Sequence, residues 1–190
     1  MPLLHAAKKY KLSILTNRCT EFLDNELKPS NACEILDQCE RFGELDMEKS
    51  CLEIIEQNTT EALATDEFMN ISNVTLGIVL DSDKLSMDEV DIFEKACEWA
   101  SEKTDETHSI RDILGENIYK MRFPVMTIKE FNDRICSTDV LSESEQLHIF
   151  KYMANPENSP KPEEFCCEPR IPEPITGRII NKLHKGVGIQ

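Results

Sequence analysis

Apolar residues recur three and four positions apart along most of this 190-residue sequence. The clearest stripe is Ala32, Ile35, Leu36, Cys39 and Phe42. This spacing places apolar side chains on one face of an α-helix. Glycine, which interrupts helices, occurs only six times, and no stretch alternates apolar and polar residues as a half-buried strand does. The sequence therefore predicts an all-α fold of antiparallel helical hairpins that pack their apolar faces together.

Three Ser/Thr-x-x-Glu sequences mark predicted helix starts. In such a capping box the hydroxyl accepts a hydrogen bond from a free backbone N–H, and the glutamate reaches back to the cap residue. A box at the boundary of an apolar stripe therefore indicates the first turn of a helix. The three boxes are Ser86 to Glu89, Thr127 to Glu130 and Ser142 to Glu145.

The first 27 residues predict a helical hairpin, with helices at about residues 3–10 and 13–25. The second helix is expected to bury one stripe, consisting of Leu15, Cys19, Phe22 and Leu23. Asn31 is the predicted N-cap of the next helix, because a side-chain amide oxygen can satisfy a free N–H there. Gly43 is the predicted end of that helix, since glycine adopts the left-handed conformation at helix ends.

The composition changes near residue 155. Six prolines lie between residues 155 and 174, with few apolar side chains for packing, so residues 155–190 are predicted to be a Pro-rich linker or tail. The adjacent thiols Cys166 and Cys167 lie in this segment. Two neighbouring thiols fit either a redox or metal-binding role or an incidental pair in a loop.

The formal net charge of -15 argues against two classes of partner. Nucleic acids and anionic membrane surfaces are bound through clustered lysine and arginine, so neither is expected here. No stretch approaches the roughly 18 apolar residues of a membrane span, and the first ten residues do not resemble a secretory signal. We therefore expect a cytoplasmic protein in which most of the eight cysteines are free thiols that pack as small apolar groups.

The sequence does not point to a catalytic, cofactor or metal site. The four histidines are scattered over different predicted elements, and no Cys-x-x-Cys spacing occurs. Asp81-Ser82-Asp83 resembles the start of a calcium loop, but Ser86 stands where that loop requires glycine. No phosphate-binding glycine loop or nucleophile motif is present. A protein that is not an enzyme and carries no cofactor is the resulting prediction.

Several longer segments of the sequence resemble one family. LLHAAKKY at residues 3–10 is similar to the penultimate helix of a BTB domain, and residues 13–27 to its last helix. PSNACEIL at residues 29–36 resembles the opening of a BACK domain, and MRFPVMT at residues 121–127 resembles the Arg-Phe-Pro turn of BTB-BACK-PHR proteins. These segments occur in the same order as in family members, and Cys166 and Cys167 resemble a linker found before a PHR domain. The chain is therefore identified as a member of this family.

The resemblance implies a domain organisation. Residues 1–27 would be the C-terminal helices of a truncated BTB domain, residues 28–136 a BACK domain of helical hairpins, and residues 137–154 an additional helix before the linker. Nearly all of a BTB domain and any PHR domain are expected to be missing. The acidic loop before Ser109 is also shorter than the more basic insert usual in the family. We interpret the chain as a fragment or truncated product of a longer adaptor.

The resemblance also implies partners. Family members link substrates to a cullin-3 ubiquitin ligase: the BTB part dimerises with other BTB-BACK protomers and grips the N-terminal region of cullin-3, and the BACK helices extend that contact. Tyr10 matches a BTB tyrosine near the cullin surface, and residues 31–58 match the helix pair that extends it. The expected cullin-side residues are Tyr10, Asn31, Ile35, Leu36 and Phe42, and the expected structural turn is Arg122, Phe123 and Pro124.

Two alternatives remain open at the level of sequence. Ile35, Leu36 and Phe42 fit plain core positions as well as interaction positions, since apolar stripes usually face inward. The function itself is either a scaffold in a cullin-3 ligase or a free regulatory helical module that competes for the partners of the full-length adaptor.

Overall fold

The computed structural model describes residues 1–172, and the end of the predicted linker, residues 173–190, lies outside the described residues. Within residues 1–172 the chain is helical and contains no strand, so the predicted all-α fold is confirmed. The α-helices are α1 (Pro2–Lys9), α2 (Ser13–Glu26), α3 (Pro29–Phe42), α4 (Leu45–Gln57), α5 (Thr59–Ala62), α6 (Asp66–Met69), α7 (Asn73–Asp81), α8 (Glu89–Ser101), α9 (Ile110–Leu114), α10 (Ile128–Glu130) and α11 (Glu143–Ala154).

Shorter helical turns join the later elements. Two 3-10 turns, Gly115–Lys120 and Phe123–Val125, lie between α9 and α10. A π-helical turn, Phe131–Ile135, continues α10. Gly115 begins the first of these turns with φ +53°, a conformation that suits glycine and ends the α-helical run.

The α3–α4 hairpin shows how local signals set the fold. Gly43 ends α3 in the left-handed conformation with φ +67°, as predicted. The helix begins three residues earlier than an Asn31 N-cap implies, because Pro29 occupies the first turn, where its missing N–H costs nothing. Asn31 is thus not the N-cap. It lies in the first turn, and its Oδ1 accepts the Lys28 backbone N–H at 2.8 Å.

Two of the three predicted capping boxes form. The Thr127 backbone N–H donates to Glu130 Oε2 at 2.9 Å, and the Ser142 backbone N–H donates to Glu145 Oε2 at 2.7 Å. The box predicted for Ser86 and Glu89 is wrong.

Instead, α8 begins at Glu89 with Asp88 as the flanking residue. The Ser86 N–H donates to the buried Thr59 Oγ1 at 2.9 Å, and Glu89 turns into the interior. Two partners distant in the sequence, Thr59 for Ser86 and Arg170 for Glu89, have displaced the local arrangement.

The hydrophobic core lies where α3, α4, α7 and α8 meet the later turns. Trp99 of α8 is 1% exposed, and its Nε1–H donates to the Ile71 carbonyl at 3.1 Å, which satisfies the indole's polar atom in the interior. The largest fully buried side chains include Trp99, Phe68, Phe93, Phe123 and Phe131.

The Pro-rich segment does not run free of the domain over its described part. Phe165 is 5% exposed and contacts the rings of Tyr119 and Phe123. The Arg170 side chain is also buried, at 4% exposure. The few packing residues of this segment, Phe165 and Arg170, thus suffice to attach its described part to the helices. The assignment of residues 155–190 as a separate unit stays a prediction.

Asp37 of α3 anchors the N-terminus of α7. It is 5% exposed, and its Oδ1 accepts the Ser72 N–H and the Thr75 Oγ1–H, each at 2.8 Å, while Arg41 pairs with Oδ2. Burial raises the pKa of this carboxyl, but the hydrogen bonds from Ser72, Thr75 and Arg41 outweigh burial and bring its pKa below the usual value.

We predict that Asp37→Asn lowers the free energy of unfolding by about 1–3 kcal/mol at pH 7, because an amide accepts these hydrogen bonds less well. A carboxyl with a lowered pKa stabilises the fold above its ordinary pKa of about 4 and loses that contribution as the pH falls through its folded value. Urea denaturation at pH 7 and pH 3 measures both effects. The variant should lose less stability between these pH values than the wild type.

Asp139→Asn, at an exposed position, is the matched control and should behave as the wild type. If Asp37→Asn and Asp139→Asn unfold at the same urea concentration at pH 7, the anchoring role of Asp37 is wrong.

Candidate protein-interaction surface

The α1–α2 hairpin leaves much of its apolar surface uncovered. Helix α1 buries Leu4 and Ala7, whereas the 14-residue α2 has no fully buried side chain. Of the ten large hydrophobic residues that are exposed within residues 1–172, five lie in the first 22 residues. We call these five the hairpin surface: Leu3, Tyr10, Leu12, Ile14 and Phe22. Clustered exposed apolar side chains are typical of surfaces that bind other proteins.

Three residues of this surface, Tyr10, Leu12 and Ile14, lie at or beside the turn between α1 and α2. Lys11 adopts φ +55°, and the Leu12 N–H donates to the Ala7 carbonyl at 2.9 Å, which closes the end of α1. Tyr10 is 69% exposed at the end of α1, and Ile14 is 75% exposed in the first turn of α2. A tyrosine in such a position offers an apolar ring and a hydroxyl to a partner.

The hairpin is attached to the end of α3 through a buried carboxylate. Glu44, in the α3–α4 turn, is 3% exposed and pairs with Lys8 of α1. The ring of His5 lies 5.1 Å from that of Phe42, between centroids, and His5 Nδ1 lies 3.9 Å from Glu44 Oε1. Charge and ring contacts thus fix the hairpin against the α3–α4 pair.

The predicted cullin-side residues differ in how far they are exposed. Tyr10 is exposed, and Asn31, Ile35 and Phe42 are partly buried. Leu36 is fully buried and has no surface for a partner, so the core alternative holds for it. Phe42 meets α1 through His5, whereas Asn31 is occupied in the start of α3.

Four of the five members of the hairpin surface, all except Tyr10, escaped the sequence pattern. Leu3 was expected to be buried in α1, but it is 59% exposed, and Leu12 was not singled out. Phe22 was placed in the buried stripe of α2, but it is 64% exposed. Ile14 carried no signal at all. Helical spacing identifies which side chains share a face, but it does not tell whether a neighbouring element covers that face.

The Arg122-Phe123-Pro124 turn lies in the interior. Phe123 is fully buried and packs edge-on against Phe93 and Phe131, with centroids 5.6 and 6.2 Å away. Arg122 is 4% exposed, and its backbone N–H donates to Glu89 Oε1 at 2.8 Å. These contacts place the turn among the packing elements of the core.

The eight cysteines are free thiols that differ in burial. Cys33, Cys39 and Cys51 are fully buried, and burial raises the pKa of the Cys33 thiol to about 12, so this thiol stays protonated. Cys166 is exposed, and Cys167 is partly buried. Within residues 1–172, no group of three His, Cys, Asp or Glu side chains could hold a metal ion.

Comparison with known proteins decides the family. The model of the BACK family, "BTB And C-terminal Kelch", matches residues 32–136, which is more than half of the chain. The chain belongs to the BTB-BACK family. The predicted family is thus confirmed. None of the helices in the described part of this family member combines the length and apolar character that a membrane crossing requires.

Curated relatives support the assignment. The chain is 33% identical to mouse (Mus musculus) BTB/POZ domain-containing protein 6 over 153 residues, which cover 77% of this chain and 28% of the relative. It is 34% identical to mouse BTB/POZ domain-containing protein 3 over 166 residues, covering 84% and 31% of the two chains. Zebrafish (Danio rerio) BTB/POZ domain-containing protein 6-B is 32% identical over 166 residues, covering 84% and 34%. The chain therefore spans about a third of the length of these relatives.

We predict that Leu36→Ala and Tyr10→Ala affect stability differently. Leu36→Ala removes a fully buried side chain and should lower the free energy of unfolding by about 2–5 kcal/mol. Tyr10→Ala alters an exposed position and should change it by less than about 0.5 kcal/mol. Chemical denaturation followed by circular dichroism measures both. Equal losses for the two variants would contradict the division into core and surface.

Proposed function

We propose that this BTB-BACK chain is a non-catalytic adaptor module that works by docking protein surfaces in a cullin-3 ubiquitin ligase, in the cytoplasm. The family assignment supports the general role, since BACK and BTB/POZ regions belong to adaptor-type proteins. The proposed partners are the N-terminal region of cullin-3 and other BTB-BACK protomers. Nucleic acid and membrane are not proposed partners, because the chain carries a net charge of -15.

The observation that carries the proposal is the hairpin surface. A helix such as α2, with no fully buried side chain in 14 residues, gains little from the contacts it makes within residues 1–172. Its exposed apolar residues would gain more from a surface that covers them. Leu3, Tyr10 and Ile14 are therefore proposed as contact residues. Tyr10 is expected to contribute most of the binding energy, because tyrosine is enriched among residues that dominate it.

The attachment of the hairpin supports an extended contact. Lys8 pairs with Glu44, and His5 contacts Phe42, so the hairpin surface is held in a fixed position beside the end of α3. A rigid surface loses less conformational freedom on binding than a loose one. Ile35 and Phe42 keep part of their surface exposed and are proposed to extend the contact. Leu36 is not, because it is buried.

We predict that Tyr10→Ala weakens binding to the N-terminal segment of cullin-3 by at least about tenfold, because truncation of a central tyrosine removes more than about 1.4 kcal/mol of binding energy. Biolayer interferometry would use the chain alone and the chain preceded by the BTB region of mouse BTB/POZ domain-containing protein 6. Leu147→Ala, at a 55% exposed position on α11, is the matched control. It should leave the affinity unchanged.

The absence of binding in both forms of the protein rejects the cullin-3 proposal. If Tyr10→Ala and Leu147→Ala lose the same affinity for the cullin-3 segment, the hairpin surface is not the contact. Saturable binding of the unmodified chain to the full-length adaptor's other partners, with none to cullin-3, would favour a competing regulatory module.

A further inference from the structure

Glu89 is a buried carboxylate whose cationic partner lies 81 positions later in the chain. Arg170 donates from Nε to Glu89 Oε2 at 2.9 Å and from Nη2 to Oε1 at 3.1 Å. The guanidinium also donates to the carbonyls of Leu80 at 2.9 Å, Lys120 at 3.4 Å and Ser82. The two side chains are 4% and 6% exposed. We call the helical part of the chain, residues 1–154, the body. It thus contains a binding site for a guanidinium, built from a carboxylate and three backbone carbonyls.

A second binding site on the body holds an aromatic ring. Phe165 is 5% exposed, and its ring centroid lies 5.5 Å from that of Tyr119 and 5.4 Å from that of Phe123, the latter edge-on. Between the two anchors, Cys166, Glu168 and Pro169 are exposed. We call residues 162–171 the strap. Its contacts therefore follow an anchor–spacer–anchor pattern, as in an extended peptide bound in a groove.

The backbone of the strap contributes little to its attachment. Within residues 1–172, one backbone–backbone hydrogen bond joins the strap to the body, from the Ile171 N–H to the Asp83 carbonyl at 2.7 Å. Arg122 Nη1 adds a bond to the Glu168 carbonyl at 3.0 Å. Pro162 and Pro169 have no N–H to donate. Side-chain anchors, rather than regular secondary structure, therefore hold the strap.

The body retains partners for its own charges without the strap. Glu89 Oε1 accepts the Arg122 backbone N–H, and the Arg122 guanidinium pairs with the exposed Asp83. Once the strap is released, Arg170 lies in water, and Glu89 keeps the Arg122 backbone N–H as a hydrogen-bond donor. Release of the strap therefore does not require unfolding of α8.

We propose that the surface formed by Glu89, Tyr119 and Phe123 is a peptide-binding site whose ligand is the chain's own strap, and that the strap exchanges between docked and released forms. The site recognises an extended peptide with an aromatic residue five positions before an arginine. The ring enters the Tyr119–Phe123 site, and the guanidinium pairs with Glu89. This inference does not depend on the proposed function.

The test uses the full chain carrying Arg170→Ala, in which the strap is weakened and the receptor residues are intact. A fluorescent peptide of residues 160–172, with serine at both cysteine positions, is titrated in an anisotropy assay. It should bind Arg170→Ala at least tenfold more tightly than the wild type, whose own strap occupies the site. The same peptide with alanine at the arginine position should bind neither chain.

Arg134→Ala is the matched control, because Arg134 is an exposed arginine that pairs with Glu94. It should bind the peptide no better than the wild type. The proposal is wrong if the folded Arg170→Ala chain does not bind the peptide. It is also wrong if that chain binds the alanine-substituted peptide as tightly as the unsubstituted one.

Hydrogen exchange of the unmodified chain tests the same point even if Arg170→Ala does not fold. The Ile171 amide should exchange by local opening, at a rate insensitive to urea below the unfolding transition, while amides of α8 respond to urea. If the Ile171 amide responds to urea as α8 does, the strap is an integral part of the core and the proposal is wrong.

Discussion

A carboxylate that leaves water has to be met by hydrogen-bond donors, and this requirement fixes how the helices of the chain are placed on one another. Asp37 is met by the start of α7, Glu44 by α1, and Glu89 by the Arg122 backbone and the strap. Apolar faces supply most of the attraction, but many relative placements bury a similar apolar area. A buried carboxylate accepts far fewer placements, because its partners must lie within hydrogen-bond distance.

Signals confined to a few neighbouring residues were the most predictable from the sequence. Gly43 ends α3, and Thr127 and Ser142 cap their helices, because each needs only partners within four residues. The same reasoning failed at Ser86 and Glu89, where Thr59 and Arg170 compete for the same groups. A sequence pattern carries no information on a partner 27 or 81 positions away.

The candidate site was predictable only in part for a related reason. Family resemblance led to Tyr10, which is exposed, and also to Leu36, which is buried. Both are apolar residues of helical hairpins, and spacing assigned Phe22 to the same buried face as Leu23, which packs against the core, whereas Phe22 is 64% exposed. Proline content, likewise, indicated a linker in residues 155–172 but could not exclude docking, since two side chains suffice to anchor an extended segment.

The two peripheral segments of the described chain are attached in a similar way. Both the α1–α2 hairpin and the strap join the body through a buried glutamate and a ring contact, His5 with Phe42 in one case and Phe165 with Phe123 in the other. Ion pairs orient a segment strongly yet add little net stability, because each charge gives up its hydration. Attachment by charge therefore makes the position of a segment definite. A domain that docks other proteins gains from this arrangement, because its peripheral surfaces are well oriented, and Phe165 ties the strap directly to the apolar core.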